Sequence, residues 1–206
     1  MSRALLPVLA LSLLSAAPAL AKPRPRAEKP ESAAPASLQA SPVGSFGAWN
    51  VFAAGEGKGR ICYAISKPQA RLPKSLKRDD AYLFVTVRRG ERVANEVAIM
   101  MGFAPKPGSN QTGAGADTAA ANAAVSAPSA ANDPSLAIGS ARYALVVKGT
   151  NAWLQNPAEE GRVVTEMGRG KKVVVKAVSQ RGNASTDEYN LEGFGDAIKR
   201  TREECK

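Results

Sequence analysis

Short runs of β-branched and aromatic residues, each bounded by glycine, asparagine or charge, recur along this chain and direct it toward a β-rich fold. Residues 46–52 carry Phe46, Trp49, Val51 and Phe52; residues 60–66 read RICYAIS, 81–87 read AYLFVTV and 96–103 read EVAIMMGF. Further on come 141–148 (ARYALVVK), a short run at 152–154 after a Gly-Thr-Asn turn, 172–179 (KVVVKAVS) and 187–191 (DEYNL). Several runs are apolar at consecutive positions, which marks strands covered on both faces. Two helices break the series. Asn156 as N-cap, Pro157 at the first helical position and Glu159 in the first turn predict a helix reaching about Met167 and ending at Gly168 or Gly170. In the last segment Phe194, Ala197, Ile198, Thr201 and Cys205 share one helical face, so Cys205 points inward with Phe194 and Ile198. The expected architecture is mainly β: an antiparallel β-sandwich or compact barrel of about seven strands with two short helices covering an end.

Three segments lack this pattern. Residues 1–21 begin with Arg3, continue through an apolar run over 4–14 with six leucines, and end in Ala19-Leu20-Ala21, which fits the small-residue rule for cleavage before Lys22. The run is short of the ~20 apolar residues a bilayer span requires, and Pro18 with the polar stretch after it argues against a core helix. We therefore expect a cleavable signal peptide and a mature protein in the periplasm or associated with the outer membrane. Residues 22–42 hold Pro23, Pro25, Pro30, Pro35 and Pro42 among alanine, serine and charge, and read as a flexible leader without an apolar face to bury. The domain then occupies 43–206, with a low-complexity insertion at about 105–134 whose alanines favour helix but whose prolines and glycines favour an inserted surface loop.

Composition narrows the chemistry. The chain has no histidine, which removes Ser-His-Asp and Cys-His catalysis and imidazole metal sites. Its two cysteines cannot build a structural zinc site; in an exported chain, Cys62 on a strand and Cys205 on the apolar face of the last helix are expected partners in a disulfide. No cofactor and no metal are implied. The formal charge of +10, which falls to +9 without Arg3, favours anionic partners. Export turns that preference away from nucleic acid and toward envelope or host-surface components, with peripheral membrane association among the expected modes.

Several blocks in order resemble the invasion-associated locus B family of exported Gram-negative proteins. They are Phe46-Gly47 with Trp49 and Val51, then Cys62-Tyr63-Ala64 with Pro68, then Arg78-Asp79 with 82–85, then Asn95-Glu96-Val97. Trp153, Ala158-Glu159-Glu160, the strand at 173–176, Thr186-Asp187 with Tyr189, and a terminal helix ending in Cys205 complete the match over roughly 45–104 and 136–206. The resemblance implies a periplasmic or outer-membrane-associated protein, with a founding member linked to host-cell invasion, and brings no catalytic site.

Trp49, Tyr63 and Trp153 would line a groove if exposed, but strand aromatics more often pack. The adjacent pairs Asp79-Asp80 and Glu159-Glu160 do not form an acid/base dyad, because sequence neighbours diverge. Residues 55–59 lack the first glycine and the Ser or Thr of a phosphate loop, and read as a hairpin turn. The basic groups Lys74, Lys77, Arg78 and Arg88, Arg89, Arg92 are the candidate anion-binding surface, against ordinary solvated loops. The leading expectation is a non-enzymatic protein acting by surface interaction. A small-molecule or lipopolysaccharide-binding module and an exported carboxylate-dependent hydrolase are the competing classes.

Overall fold

The computed structural model describes residues 39–112 and 130–206, so the expected signal peptide, most of the leader and the middle of the insertion lie outside the described residues. The chain is mainly β. Its strands are β1 (Ser41–Phe46), β2 (Trp49–Ala54), β3 (Ile61–Ser66), β4 (Ala70–Leu72), β5 (Tyr82–Arg88) and β6 (Val93–Met100). After the turn α1 (Ser109–Thr112) come β7 (Ser135–Ile138), β8 (Ala141–Lys148), β9 (Asn151–Leu154), β10 (Lys172–Val178) and β11 (Ala184–Asn190). Two longer helices, α2 (Glu160–Met167) and α3 (Phe194–Glu204), follow β9 and β11.

All pairings are antiparallel, and the strands form one open sheet of 11 in the order β1-β2-β3-β5-β6-β9-β8-β7-β10-β11-β4. The sheet changes direction at β8, whose first half pairs with β7 and whose second half pairs with β9. Residues on either side of that strand therefore meet: Trp49, Val51, Leu83, Val85 and Ile99 share one buried cluster with Leu136, Val173, Val175 and Tyr189. Alternation along β10 explains why its sequence KVVVKAV suffices, since Val173, Val175 and Ala177 are buried and Lys172 and Lys176 are exposed.

The strand count exceeds the expected seven: each of the eight runs in the sequence supplies one strand, and three further strands have weak sequence signals. β1 is a polar edge strand with Pro42 and Gly44, β4 has three residues, and β7 lies directly after the insertion. The run at 46–52 is also divided. Gly47 and Ala48 form the turn between β1 and β2, and Gly47 adopts φ 55. Gly193, at φ 80, lies so close to the Phe46 carbonyl that a Cβ there would collide with backbone. Ala48 N–H donates to the Glu192 carbonyl at 3.1 Å across the same junction. Two facing glycines thus let the first hairpin touch the start of α3.

Boundaries near the low-complexity segments shift as well. Ser41 and Pro42, assigned to the leader, are paired in β1. On the near side of the insertion, the Gln111 amide donates to the Val147 carbonyl at 2.7 Å and accepts from its N–H at 2.9 Å, which closes the free edge of β8. The hairpin reading of 55–59 matches the connection from β2 to β3, which contains a 3-10 turn at Gly57–Gly59.

Helix α3 packs against β1, β2, β3 and β5. Its end is fastened by the Cys62–Cys205 disulfide, with Cα atoms 5.9 Å apart, and both cysteines are buried beside Ala53 and Val87. A second tie comes from Arg60, whose Nε donates to the Glu204 carbonyl at 2.8 Å and whose Nη2 meets the Glu204 carboxylate at 2.6 Å. The bridge closes a loop with a sequence separation of 143. In the chain-entropy model such a loop stabilises by up to ~5 kcal/mol. Thiol labelling of denatured, unreduced protein should find no reactive thiol, and reduction should lower the unfolding midpoint. Two reactive thiols per chain would contradict the bridge.

Candidate anion-binding cleft

Strand β11 reads ASTDEYN, and its alternation places Ser185, Asp187 and Tyr189 on the buried face. Only the tyrosine is a natural core residue. Asp187 is 4% exposed and needs a counter-charge where it sits. The pairing of β11 with β4 sets Arg71 directly across from it. The loop after β4 brings Arg78, whose side chain is 6% exposed and whose Nη2 lies 2.8 Å from Asp187 Oδ1. Arg71 Nε lies 3.7 Å from the same oxygen, and its Nη2 donates to the Met101 carbonyl at 3.4 Å. The Phe103 ring stacks 5.7 Å from the Arg78 guanidinium carbon.

One carboxylate thus serves two guanidinium groups. The ion-pair distances are short, but the alignment is poor: Arg71 Nε, Arg78 Nη1 and Nη2, Asp187 Oδ1 and Tyr189 Oη are buried without an aligned hydrogen-bond partner in the protein. Burial, with the Asp187 charge second, pushes the Tyr189 phenol far above its ordinary range, so it stays protonated.

Arg78 also lines a cleft of ≈ 590 Å³ whose other lining residues include Lys77, Asp79, Phe103, Arg181 and Ser185. The walls are tied together by backbone. Asp79 N–H donates to the Gly102 carbonyl at 3.1 Å, and Gly102 is at φ 69 with the Asp79 carbonyl where a Cβ would stand. Gln180 N–H donates to the Ala104 carbonyl at 3.1 Å, and Lys106 N–H donates to the Val178 carbonyl at 2.7 Å. These bonds join the β4–β5 loop, the segment after β6 and the β10–β11 hairpin into one frame.

The six basic residues singled out from sequence do not form one surface. Lys74 and Lys77 are exposed in the β4–β5 loop, whereas Arg78 turns inward to Asp187. Arg88 is held by Glu96 through two contacts of 2.6 Å, with desolvation opposing the rise in its pKa that this hydrogen bonding causes. Arg89 and Arg92 are exposed on the β5–β6 hairpin, with Arg92 at φ 57. The two groups flank opposite ends of β5, roughly 20 Å apart for a strand of that length. Arg181, which joins Lys77 at the cleft, lies in a stretch that reads as a polar turn and carries no local signal of a site; the approach depends on pairing between distant segments.

Other sequence candidates separate similarly. Trp49 is fully buried, donates from Nε1 to the Asn190 carbonyl at 2.9 Å, and meets Phe194 edge-on at 4.8 Å. Tyr63 and Trp153 are half-buried on the opposite face of their strands, where Tyr63 stacks on Phe52 at 5.6 Å. Asp80 is taken by Lys67 at 3.0 Å and by the Tyr82 hydroxyl at 3.1 Å. Glu160 accepts from Val97 N–H at 3.4 Å, and desolvation raises its carboxyl to about 6. A second, shallower groove of ≈ 660 Å³ carries Arg162, Arg169, Lys171 and Lys172; Arg162 pairs with Glu166 and Lys172 with Glu188, each at 2.9 Å, and all four cations are exposed, so none is a buried, fixed charge as Arg78 is. Among the described residues, no group of three or more His, Cys, Asp or Glu is placed to hold a metal ion. No described helix is long and apolar enough to cross a membrane.

Removing the shared carboxylate should be costly. Asp187→Ala leaves the buried Arg78 guanidinium without its counter-charge and takes the nearest carboxylate from the half-buried Arg71, and should lower stability by ~3–5 kcal/mol in urea unfolding. Tyr189→Phe removes a buried hydroxyl that lacks a partner, and should be neutral or stabilising by up to ~1 kcal/mol. The reverse ranking would contradict this description of the cluster. No family model, curated protein or solved structure matches the chain.

Proposed function

We propose that this chain is exported and works on the envelope side as a non-enzymatic β-sandwich domain of the invasion-associated locus B type, drawn to anionic envelope or host-surface components by its positive charge. The observation that carries this reading is the cation surplus at the cleft, where Lys77, Arg78 and Arg181 face one lining acid, Asp79. The formal charge of +10 and the disulfide, which suits an oxidising compartment, support it. The cleft itself favours a second reading, a small-molecule or lipopolysaccharide-binding module, because its ≈ 590 Å³ lies within the range of ligand sites. A carboxylate hydrolase needs two acids facing each other across a cleft, which the residues lining this one do not supply.

Exposed charges are screened over ~8 Å at physiological salt, so association should weaken steeply as salt rises. Cosedimentation with vesicles of phosphatidylglycerol and phosphatidylcholine, compared with phosphatidylcholine alone, measures it. Neutralising Lys74, Lys77 and Arg181 together should reduce binding several-fold. Arg88→Gln should change it little, since Glu96 already balances that charge. Absence of binding at low salt, or equal loss from both variants, would contradict the proposal.

A further inference from the structure

We propose that the cleft above Arg78 is a binding site for a phosphate monoester group carried by a small molecule or a lipid headgroup. The inference deepens the anion-binding reading and rests on it. Its basis is charge and burial. Lys77, Arg78 and Arg181 line the cleft with Asp79, while Arg71 and Asp187 lie behind Arg78. Four cations and two carboxylates, with Asp80 near Arg71 offset by its own ion-pair partner Lys67, leave a surplus of +2. A phosphate monoester carries a charge of about −1.5 to −2 at neutral pH and matches that surplus, whereas a monocarboxylate leaves part of it unbalanced.

The burial of the cluster makes the match matter. The Arg78 side chain is 6% exposed and held between Asp187 and the Phe103 ring. Its terminal nitrogens lack an aligned acceptor, and Asp187 cannot neutralise Arg71 and Arg78 together. Uncompensated charge in a low-dielectric setting is unfavourable, and its field is focused into the adjoining cleft. Lys77 and Arg181 are exposed and are the groups that touch the phosphate oxygens; Arg78 supplies the fixed charge at the floor. The space exceeds what a phosphate needs. Leu76, Phe103 and Ala104 offer an apolar wall to the remainder of the ligand.

The test is titration calorimetry of the full chain at low ionic strength with glycerol 3-phosphate, and with acetate as the monoanion control. Glycerol 3-phosphate should bind at least tenfold more tightly than acetate. The Lys77→Gln/Arg181→Gln variant, altered only at exposed positions, should lose tenfold or more, and Arg78→Lys should lose several-fold if it remains folded by circular dichroism. Arg89→Gln/Arg92→Gln, at the far hairpin, should bind as the parent does. Two sources of the phosphate are separated by vesicles containing phosphatidic acid. Displacement of vesicle-bound protein by glycerol 3-phosphate places a headgroup in the cleft, and binding of glycerol 3-phosphate without displacement assigns the cleft to a soluble ligand. No heat with glycerol 3-phosphate, affinity equal to that for acetate, or indifference to Lys77→Gln/Arg181→Gln overturns the site. Vesicle association that survives such a result leaves the broader surface reading standing, and phosphate binding without vesicle association does the opposite.

Discussion

Asp187 is the point at which three separate segments are joined at one end of the core. It stands on β11, across from Arg71 of β4, and receives Arg78 from the loop that leads into β5. A strand of three residues such as β4 has little apolar surface with which to hold its place. The ion pairs supply that hold, and in doing so they leave positive charge beside a cleft. Packing accounts for the rest of the interior: Val, Leu and Ile side chains fill the space between the two halves of the sheet, and Trp49 reaches from β2 to the carbonyl at the end of β11. Among the described residues, the other polar ones that are buried carry hydroxyls, such as Ser66 and Thr201, so Asp187 stands out by its charge, and a buried charge calls for a physical reason.

The opposite end is held differently. Helix α3 lies on β1, β2, β3 and β5, with the disulfide at its last turn and Arg60 gripping Glu204. The covalent tie between residues 62 and 205 closes a long loop, which is where a cross-link restricts the unfolded chain most. It leaves the cleft end, with its loop and hairpin, to be shaped by hydrogen bonds and charge.

Much of the fold is legible in the sequence, and the reasons for the exceptions are specific. The 141–148 run matches β8 residue for residue, and Asn156 does accept from the Ala158 N–H as an N-cap. Cys205 lies inward as helical spacing requires. By contrast β1, β4 and β7 are held by partners rather than by their own composition, so local propensity misses them. The candidate site is half visible in the sequence. Lys77 and Arg78 stand out as charges, but nothing local marks the Arg78 side chain as buried or Arg181 as its neighbour at the cleft. Asp187 reads as part of a polar strand until pairing with β4 turns it toward Arg71.

Positive charge left over beside Asp187 is what would draw a phosphate group into the adjoining cleft. The most direct measurement is a crystal structure of the protein grown with glycerol 3-phosphate. The phosphate group should lie between Lys77 and Arg181, above the Arg78 guanidinium, with the ion pair to Asp187 retained. Phosphate bound elsewhere on the surface, with that cleft holding solvent alone at saturating ligand, would contradict it.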